Sequence, residues 1–570
     1  MPGKKRSYVR LLVKVLLVLL GLFLALAVYF ALVAIDRPPD VKDKSSLALE
    51  RSDYGINTFG FGRSWLRKSE SGLWEAYIEG APFERGVAFG QLTRELLYYQ
   101  ETSFVEQIRE IIPSAFYLRF LKYFIAFFNR NLDKNIPEEF KLEIYGTSFA
   151  CSEEYDFIGS GYQRQLNYHA AHDIGHALQG LNLVACTSFS VWDERSADST
   201  LLIGRNFDFY MGEKFAENKI VCFVNPDKGL KFMMITWADM IGVVSGMNEK
   251  GLTVTINASK SSFPAQSATP VTLLAREILQ YASTIQEAYD ISEKRKLFVS
   301  ESIMVGSAID HKTAIIEKSP DKAGLVYPAE SRMICSNHFQ GSTFARDETN
   351  ILNISGSDSY SRYRRVEELI DRNGTFSEQE VVALLRDQKA LGDSDAGMGN
   401  QLAINQLIAH HSVVFKPDSL LVWVSTSPWQ LGKFVAYDLK RIFDQADHAQ
   451  LNQEIYSRSR TIPPDTFLFT PEFNDFLRFQ QMSKQLRQFR KNREPIPEGF
   501  ETAYIRLNPA YYQTYVNLAD YYRTMKAYEQ AYFLYTRALG CKLPGKDEKD
   551  RLTETTSELK NKTGHANSRN

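Results

Sequence analysis

The chain has 570 residues, 44% of them hydrophobic, so it is long enough for more than one hydrophobic core. Its 67 basic and 68 acidic residues give a formal net charge of -1, which excludes nucleic acid or an anionic surface as a partner attracted by overall charge. The five cysteines are an odd and sparse set, so they do not describe a disulfide framework and at least one thiol is free.

An uncharged apolar run from Val15 to Ile35 follows a basic N-terminus. As a helix it would extend roughly 31 Å, which matches the hydrocarbon core of a bilayer. Basic residues on the N-terminal side predict that this end stays in the cytoplasm and that everything after Asp36 is exported. A signal peptide cleaved after the small residues of Ala25-Leu26-Ala27 is the alternative. We therefore expect residues 1–36 to be a membrane anchor and the rest to be extracytoplasmic.

Residues 37–185 begin with a short polar tether and then read as mainly helical. Apolar residues recur at three- and four-residue spacing from Ala81 to Gln179. The stretch "SAFYLRFLKYFIAFFNRNL", which begins at Ser114, is unusually aromatic. It is predicted as a core helix, and the lining of an acyl-chain pocket is the other interpretation.

Residues 186–445 change to alternating, β-branched runs separated by turns, which predict strands in hairpins. One helix, Pro270 to Arg295, interrupts them, and another is predicted around Tyr360 to Arg372. Strands in hairpins with helices set between them indicate a layered α+β domain.

Residues 446–570 return to a helical pattern, with a tetratricopeptide-like repeat at 509–544. Such repeats need neighbours to bury their faces, so we expect a small helical appendage docked on the main domain, with a protein partner as a further expectation. The residues at the packing positions of that repeat are Tyr515, Leu518, Ala519, Tyr522, Tyr528, Ala531, Tyr535 and Ala538.

Cys186 begins a strand-like run, "CTSFSVW". A thiol is a good nucleophile if something lowers its pKa and something accepts its proton. If the chain is cut before the cysteine, the freed α-amine becomes a base attached to its own nucleophile. No catalytic histidine is then needed.

Further motifs follow in order: "GRNFD" from Gly204, "GMNEKGLTVTIN" from Gly246, "CSNHF" from Cys335 and "SYSRYRRVEEL" from Ser359. Together with "CTSF" they resemble the N-terminal-nucleophile hydrolases. The similarity is to the penicillin acyltransferase-like branch, related to choloylglycine hydrolases and acid ceramidase. It covers roughly residues 186–425.

This resemblance implies a four-layer αββα fold, self-cleavage between Ala185 and Cys186, and cleavage or transfer of the acyl group of a linear amide. Ala185 is a departure, because self-cleavage in relatives often follows other residues. The resemblance assigns the active site to Cys186, Arg205, Asp208, Asn257, Asn337 and Arg362.

Each of these residues then has an expected role. Arg205 favours the thiolate of Cys186, and Asp208 holds the α-amine by a charge-assisted hydrogen bond. Asn257 donates to the tetrahedral oxyanion. Asn337 and Arg362 complete the polar wall and orient the substrate.

Strand alternation raises a geometric difficulty. It puts Arg205 and Asp208 on opposite faces of one strand, so a bulge or the end of the strand is expected between them if both are to reach Cys186. Thr253, Thr255 and Asn257 share one face.

Two alternative assignments involve histidines. His169, His172 and His176 lie at i, i+3 and i+7 of one predicted helix, which is a metal-like spacing, although a helix packed beside the site is favoured. His338 or His410 could instead form a papain-like pair with Cys186.

The sequence thus predicts a membrane-tethered amidohydrolase or acyltransferase acting on a small N-acyl amide, with a lean towards a lipid-like acyl group. It needs no cofactor and no metal. The alternative is an unprocessed, inactive scaffold that presents the repeat to a protein partner.

Overall fold

The computed structural model describes residues 3–33, 36–111, 114, 129–177, 184–209, 212–260, 268–445, 451 and 453–563. The aromatic stretch from Ser114 therefore lies almost entirely outside the described residues. The described helices are α1 Gly3–Val33, α2 Pro82–Ile111, α3 Glu138–Ser148, α4 Gly161–Ala177, α5 Val271–Tyr281, α6 Ile285–Glu293, α7 Glu348–Gly356, α8 Ser359–Asn373, α9 Glu378–Leu385, α10 Leu439–Asp444, α11 Pro471–Asn492, α12 Phe500–Leu507, α13 Tyr512–Thr524, α14 Tyr528–Leu539 and α15 Lys546–Lys562.

Two β-sheets form the centre of the molecule. In the larger sheet, all neighbouring strands are antiparallel except one parallel pair, the fourth and fifth in spatial order. Its strands, in spatial order, are β1 Ser52–Gly55, β2 Thr58–Phe61, β3 Ser64–Lys68, β4 Trp74–Gly80, β7 Ile220–Pro226, β8 Phe232–Thr236, β9 Ser245–Asn248, β10 Leu252–Ala258, β11 Glu301–Ser307, β12 Lys312–Lys318 and β13 Ala323–Val326.

The smaller sheet is antiparallel throughout and carries Cys186 near one edge. Its strands, in spatial order, are β14 Arg332–Cys335, β5 Val184–Asp193, β6 Ser199–Phe209, β15 His411–Lys416, β16 Leu421–Ser425, β17 Phe434–Asp438 and β18 Ser457–Ile462.

The two sheets pack face to face through a core of alternate side chains from both, such as Ile203 and Phe223. Helices α2 to α6 cover the outer face of the larger sheet, where Val254 contributes to the core. Helices α8 and α9 cover the outer face of the smaller sheet, against Phe189 and Leu202. The layers are therefore helix, sheet, sheet, helix, which is the predicted αββα order.

The sequence predicts that the segment 37–185 is mainly helical, and the structure differs from this prediction. It also contributes β1 to β4, and β4 pairs in parallel with β7 from the following segment. Buried side chains on both faces hid the alternation that marks a strand: Trp74, Ala76, Tyr77 and Ile78 are all buried.

Two further boundaries differ from the sequence prediction. The helix expected from Pro270 to Arg295 is divided into α5 and α6, because Thr284 has an extended backbone and its side chain accepts the N–H of Glu287 as a new N-cap. The smaller sheet also continues past the expected boundary at residue 445, since β18 pairs with β17.

The C-terminal helices pack around a core of their own. It contains Tyr515, Leu518 and Ala519 of α13 together with Ala531 and Tyr535 of α14, and these are residues that the sequence assigned to packing positions. Asn508 joins this core to the main domain, because its side chain exchanges two hydrogen bonds with the backbone of Met398. Membership of the tetratricopeptide family stays a prediction.

The predicted anchor at residues 15–35 coincides with the second half of α1, and Ile35 lies outside the described residues. Within the described part of the chain, no helix has both the length and the apolar character that crossing a membrane requires. The anchor is thus not confirmed.

Candidate active site

Cys186 lies between the two sheets and is fully buried. Alternation along β5 turns Cys186 and Ser188 towards the larger sheet and turns Thr187 and Phe189 towards the outer helices. In the structure Ala185 and Cys186 are consecutive residues of this strand, so the geometry is that of the uncut chain.

Arg205 approaches the sulfur from the neighbouring strand. Phe207 stands directly opposite Cys186 in the β5–β6 register, and Arg205, two residues earlier, shares that face. One guanidinium nitrogen, Nη2, lies 3.5 Å from the Cys186 sulfur and also donates to the carbonyl of Ile256. The other, Nη1, donates to the hydroxyl of Ser245, and the group lies 4.5 Å from the centre of the Phe207 ring. These contacts aim a buried cation at the thiol.

Two histidines stand behind Arg205. The Nε2 atom of His411 is 2.8 Å from the Ser245 hydroxyl, and the two Nδ1 atoms of His411 and His410 are 2.9 Å apart. Burial, with the nearby positive charges as a smaller cause, holds the pKa of both imidazoles well below the usual range. Both rings are therefore neutral and form the far end of a hydrogen-bonded chain that leads through Ser245 and Arg205 to Cys186.

The thiol itself stays protonated in the uncut chain. Burial raises the pKa of Cys186 to about 11; the positive charges of Arg205 and Arg362 oppose this shift, while Asp208 and Glu301 add to it. Arg205 acts in the expected direction, but desolvation outweighs it. Attack by this sulfur therefore requires a base that accepts its proton.

Asn337 holds the backbone nitrogen of Cys186. Its Oδ1 accepts the Cys186 N–H at 2.9 Å and a guanidinium N–H of Arg362 at 2.8 Å, and its Nδ2 donates to the carbonyl of Ala258 at 2.9 Å. Ser359 fixes the loop, because its hydroxyl accepts the Asn337 N–H at 2.7 Å. The atom that cleavage would convert into an α-amine is thus already held by a polar side chain.

Arg362, at the start of α8, binds the strand from the outer side. Its Nη1 donates to the carbonyl of Cys186 at 2.7 Å and to the hydroxyl of Thr187 at 2.9 Å. Its Nε donates to Asp358 at 3.1 Å. In the uncut chain this arginine orients the backbone of the nucleophile, whereas the sequence had assigned it to the substrate.

Asp208 lies on the face opposite Arg205. The register of β5 and β6 runs without a shift from Val184–Phe209 to Val191–Leu202. The bulge that would let Arg205 and Asp208 reach Cys186 from one face is therefore absent there. Asp208 shares the outer face with Arg362, which is the largest electrostatic influence on its carboxyl group after burial. Arg205 and Asp208 therefore approach Cys186 from different sides of β5.

The carboxyl group of Asp208 is buried, and its hydrogen bonding is unusual. Among the described residues, none bonds to either of its buried oxygens. Burial raises its pKa to about 7, although Arg362 and Arg205 act in the opposite direction. A buried acid without a donor is unusual and commonly marks a functional site.

Asn257 lies at the end of β10, facing the smaller sheet. Its Oδ1 accepts the hydroxyl hydrogen of Ser188 at 2.9 Å, and its Nδ2 donates to the carbonyl of Cys335 at 3.0 Å. Thr255 shares this face, as the alternation had predicted. Its hydroxyl donates to the hydroxyl of Ser188. An amide nitrogen carries two hydrogens, so one N–H of Asn257 is fixed and the second is oriented by that bond.

Neither His338 nor His410 hydrogen-bonds with the Cys186 sulfur. The Nδ1 of His338 is 2.7 Å from the Ser359 hydroxyl, and burial lowers its pKa to about 4. His410 is separated from the sulfur by His411, Ser245 and Arg205. The papain-like alternative therefore has no direct contact in its favour.

The predicted metal-like histidines are only partly described. His169 accepts the backbone N–H of Ile241 through Nε2 at 3.0 Å, and its Nδ1 is 2.7 Å from the carbonyl of Gln165. Burial lowers its pKa to about 4, and both nitrogens are occupied by backbone. The side chains of His172 and His176 lie outside the described residues.

Sequence reasoning did not identify Ser188, Ser245 and His411, and it included Ser359 only as the first residue of the motif that contains Arg362. Ser188 could have been found, because it lies two residues from Cys186 and so shares its face. Ser245 and His411 carried no such signal. They come from strands of different sheets and meet only when the sheets pack.

Residues 194–397 match the family model described as acyl-coenzyme A:6-aminopenicillanic acid acyl-transferase. The match begins after Cys186 and includes Arg205, Asp208, Asn257, Asn337 and Arg362. It covers less than half of the chain.

Three curated proteins are similar over part of their length. An uncharacterized protein from Archaeoglobus fulgidus is 26% identical over 46% of this chain and 47% of its own length, and the protein dcd1B of Dictyostelium discoideum is 24% identical over 43% and 50%. The N-acylethanolamine-hydrolyzing acid amidase of Caenorhabditis elegans is 24% identical over 45% and 69%. The chain thus spans about half the length of the first two relatives.

Solved structures give two further likenesses. The Caenorhabditis elegans N-acylethanolamine-hydrolyzing acid amidase ortholog is 20% identical, with a TM-score of 0.30, over 41% of this chain and 93% of that one. A variant of conjugated bile acid hydrolase from Clostridium perfringens is 14% identical, with a TM-score of 0.31, over 45% and 93%. Part of this chain is therefore similar to a family named as an acyl-transferase and to a protein named as an amidase.

Proposed function

We propose that this protein is an amidohydrolase or acyltransferase that cleaves a linear N-acyl amide through a thioester on Cys186. Self-cleavage between Ala185 and Cys186 activates it. The observation that supports this most is the arrangement around Cys186: Arg205 contacts its sulfur, Asn337 holds its nitrogen, and Asp208 is buried with no hydrogen-bond donor in the described part of the chain.

Self-cleavage proceeds by attack of the Cys186 sulfur on the carbonyl carbon of Ala185. The C–N bond breaks, the backbone nitrogen takes up a proton, and a thioester forms. Water then hydrolyses the thioester, which leaves Ala185 with a carboxylate and Cys186 with a free α-amine. This amine donates a hydrogen bond to the Asp208 carboxylate, and in its neutral form it keeps a lone pair that accepts a proton.

Turnover uses the same atoms. The α-amine accepts the thiol proton while the sulfur attacks the substrate carbonyl. The second N–H of Asn257 donates to the developing oxyanion. The C–N bond then breaks, the α-amine returns the proton to the leaving amine, and water or an acceptor amine releases the acyl group from sulfur.

The substrate is proposed to be a small N-acyl amide with an apolar acyl group. The relative from Caenorhabditis elegans hydrolyses N-acylethanolamines by its name. Whether hydrolysis or transfer dominates depends on which nucleophile reaches the thioester. A cofactor or metal has no part in this chemistry.

Mass spectrometry of purified full-length protein tests the activation step. The wild type should separate into residues 1–185 and 186–570, with Cys186 as a new N-terminus, and should hydrolyse a chromogenic N-acyl amide. Cys186→Ala should remain whole and inactive. Cys541→Ala, which alters a half-buried thiol in the C-terminal helices, should behave as the wild type.

Two results would contradict the proposal in different ways. A wild type that stays whole but hydrolyses the amide would remove the α-amine mechanism. A wild type that stays whole and is inactive would favour the alternative, a scaffold that presents residues 509–544 to a protein partner.

The membrane tether at residues 15–35 is part of this proposal. It rests on the uncharged run after basic residues, and described side chains such as Leu16 and Phe23 in α1 are exposed. After a carbonate wash the protein should stay with membranes. A reporter fused after Asn570 should be active only outside the cytoplasm, and a soluble product that begins near Val28 would indicate a cleaved signal peptide.

A further inference from the structure

Lys219, directly before β7, is a buried lysine with no carboxylate partner among the described residues. Its side chain is 2% exposed, and its ammonium group donates to the carbonyl of Ser425 at 3.3 Å. In the part of the chain that the structure describes, no carboxylate lies within ion-pair distance of it. An ammonium group has three donors, so this lysine is poorly satisfied.

Several buried arginines of the described chain, unlike Arg205, form ion pairs with carboxylates. Arg164 bonds to Glu101 at 2.8 Å, and Arg365 bonds to Asp387 at 2.8 Å. Burial is the cause that lowers the pKa of Lys219 to about 7, and no nearby anion opposes it. A buried charge of this kind is commonly found where a ligand supplies the missing partner.

Lys219 lines a cleft of about 390 Å³ between the main domain and α11. This volume is within the range of about 300–1,000 Å³ that small-molecule sites occupy. The walls are mainly apolar, with Phe209 at the end of β6, Leu407 and Trp429 from loops, and Leu477 from α11.

The polar groups of the cleft favour a ligand that carries a single negative charge. Lys484 of α11 adds a second cation, whereas Glu217 is an anion that accepts the hydroxyl hydrogen of Tyr99 at 2.5 Å. Glu217 and the Ser425 carbonyl would repel a dianion such as phosphate. A carboxylate carries one charge and two acceptor oxygens, which suits an ammonium with unused donors.

We propose that this cleft binds a monocarboxylate with an apolar chain, whose carboxylate pairs with Lys219 and whose chain contacts Phe209, Trp429 and Leu477. None of these residues is among the proposed catalytic residues, so the proposal does not depend on the amide chemistry at Cys186. The walls of the cleft come from both the main domain and α11, so the C-terminal helices contribute directly to ligand binding.

Isothermal titration calorimetry of the full chain in lipid nanodiscs tests the site, with octanoate as the probe and empty nanodiscs as background. Octanoate should bind, and both 1-octanol and octylammonium should bind about 10- to 100-fold more weakly because neither offers an anion that can pair with Lys219. Inorganic phosphate should not bind.

Lys219→Met keeps the length of the side chain and removes the charge. It should weaken octanoate binding about 10- to 100-fold without lowering the unfolding temperature, since no ion pair is lost. Lys433→Met, at an exposed lysine of the same domain, is the matched control and should bind normally. Leu477→Glu puts a negative charge on the cleft wall. It should also weaken octanoate binding.

Four results would overturn the proposal: no octanoate binding to the wild type, equal binding of octanol and octanoate, phosphate binding as tight as octanoate, or unchanged octanoate binding in Lys219→Met. The first excludes a ligand of this class, and the second excludes recognition of the carboxylate. The third assigns the cleft to a different anion, and the last excludes the lysine.

Discussion

Two clusters of buried charge lie on either side of the larger sheet. In the helical layer, Glu143 of α3 is held by Arg85 at 2.8 Å and Arg276 at 3.3 Å. Burial alone would raise the pKa of Glu143, but the two arginines outweigh it and the pKa is lowered. Asp208 lies between the smaller sheet and α8. It is equally buried, but its pKa is raised to about 7.

The difference between the clusters lies in pairing, because burial is the same in both. Every charge of the Glu143 cluster has a direct partner, so it stabilises the fold as it stands. Asp208 has nearby arginines but no donor among the described residues, and the thiol of Cys186 is held protonated. In the proposed mechanism, the α-amine that cleavage frees would complete this second cluster.

Breaking the paired cluster should have the largest effect. Glu143→Gln leaves buried Arg276 without an ion-pair partner among the described residues and leaves Arg85 with only Asp227, so the free energy of unfolding should fall by about 3–5 kcal/mol in urea denaturation. Glu138→Gln, at an exposed position of the same helix, should change it by less than about 0.5 kcal/mol. A loss below about 1 kcal/mol for Glu143→Gln would show that pairing does not explain this cluster.

Asn257→Ala tests the catalytic side of the comparison. On fully processed protein it should lower single-turnover acylation about 10²–10³-fold, because a donor to the oxyanion is worth about 2.7–4 kcal/mol, with little change in substrate affinity. Asn257→Asp should be slower still, since a carboxylate opposes the oxyanion.

Ser188→Ala is the control for that experiment. It removes the hydroxyl that orients Asn257 and keeps the donor, so a smaller loss is expected. Circular dichroism checks folding. An unchanged acylation rate in folded, processed Asn257→Ala would remove this residue from the site.

Asp208→Asn should have opposite effects before and after cleavage. Because the pKa of Asp208 is raised, the folded uncut chain keeps a proton that the unfolded chain releases, and this group lowers stability as pH rises from about 4 to about 7. In the Cys186→Ala background, Asp208→Asn should therefore raise the free energy of unfolding at pH 7.5 by about 1–3 kcal/mol. The gain should disappear near pH 4.

Asp550→Asn, at an exposed site, should give no such pH dependence. In the processed enzyme, loss of the Asp208 carboxylate should slow turnover, because the α-amine loses its acceptor. If Asp208→Asn destabilises the uncut chain at pH 7.5, Asp208 has a partner there and the comparison fails.

Ser245→Ala should have the smallest effect. It removes the link between Arg205 and His411, so turnover should fall about fivefold, and the pH profile of Cys186 alkylation, followed by peptide mass spectrometry, should move to higher pH. Ser190→Ala is matched, since Ser190 is buried on β5 without a hydroxyl partner among the described residues, and should leave the profile unchanged. An unmoved profile in Ser245→Ala would assign Ser245 a purely structural role.

The sequence predicted most of the central strands and their order. Alternation in "TSFSVW" and "GLTVTIN" identifies β5 and β10, since each strand has two chemically different faces. It failed for β4, whose buried side chains on both faces leave no alternation. The candidate site residues came from the family resemblance, and the structure brings Arg205, Asn337 and Arg362 into contact with Cys186.

Local pattern determined the strands, the face that Asn257 presents, and the opposite orientation of Arg205 and Asp208, because each depends only on neighbours along the chain. Tertiary structure decided which atoms of Cys186 these groups meet, the link from Arg205 to His411, and the cleft around Lys219. These features join segments up to several hundred residues apart. Which side chains pair in a buried site depends on how whole sheets pack, and spacing along the chain does not record it.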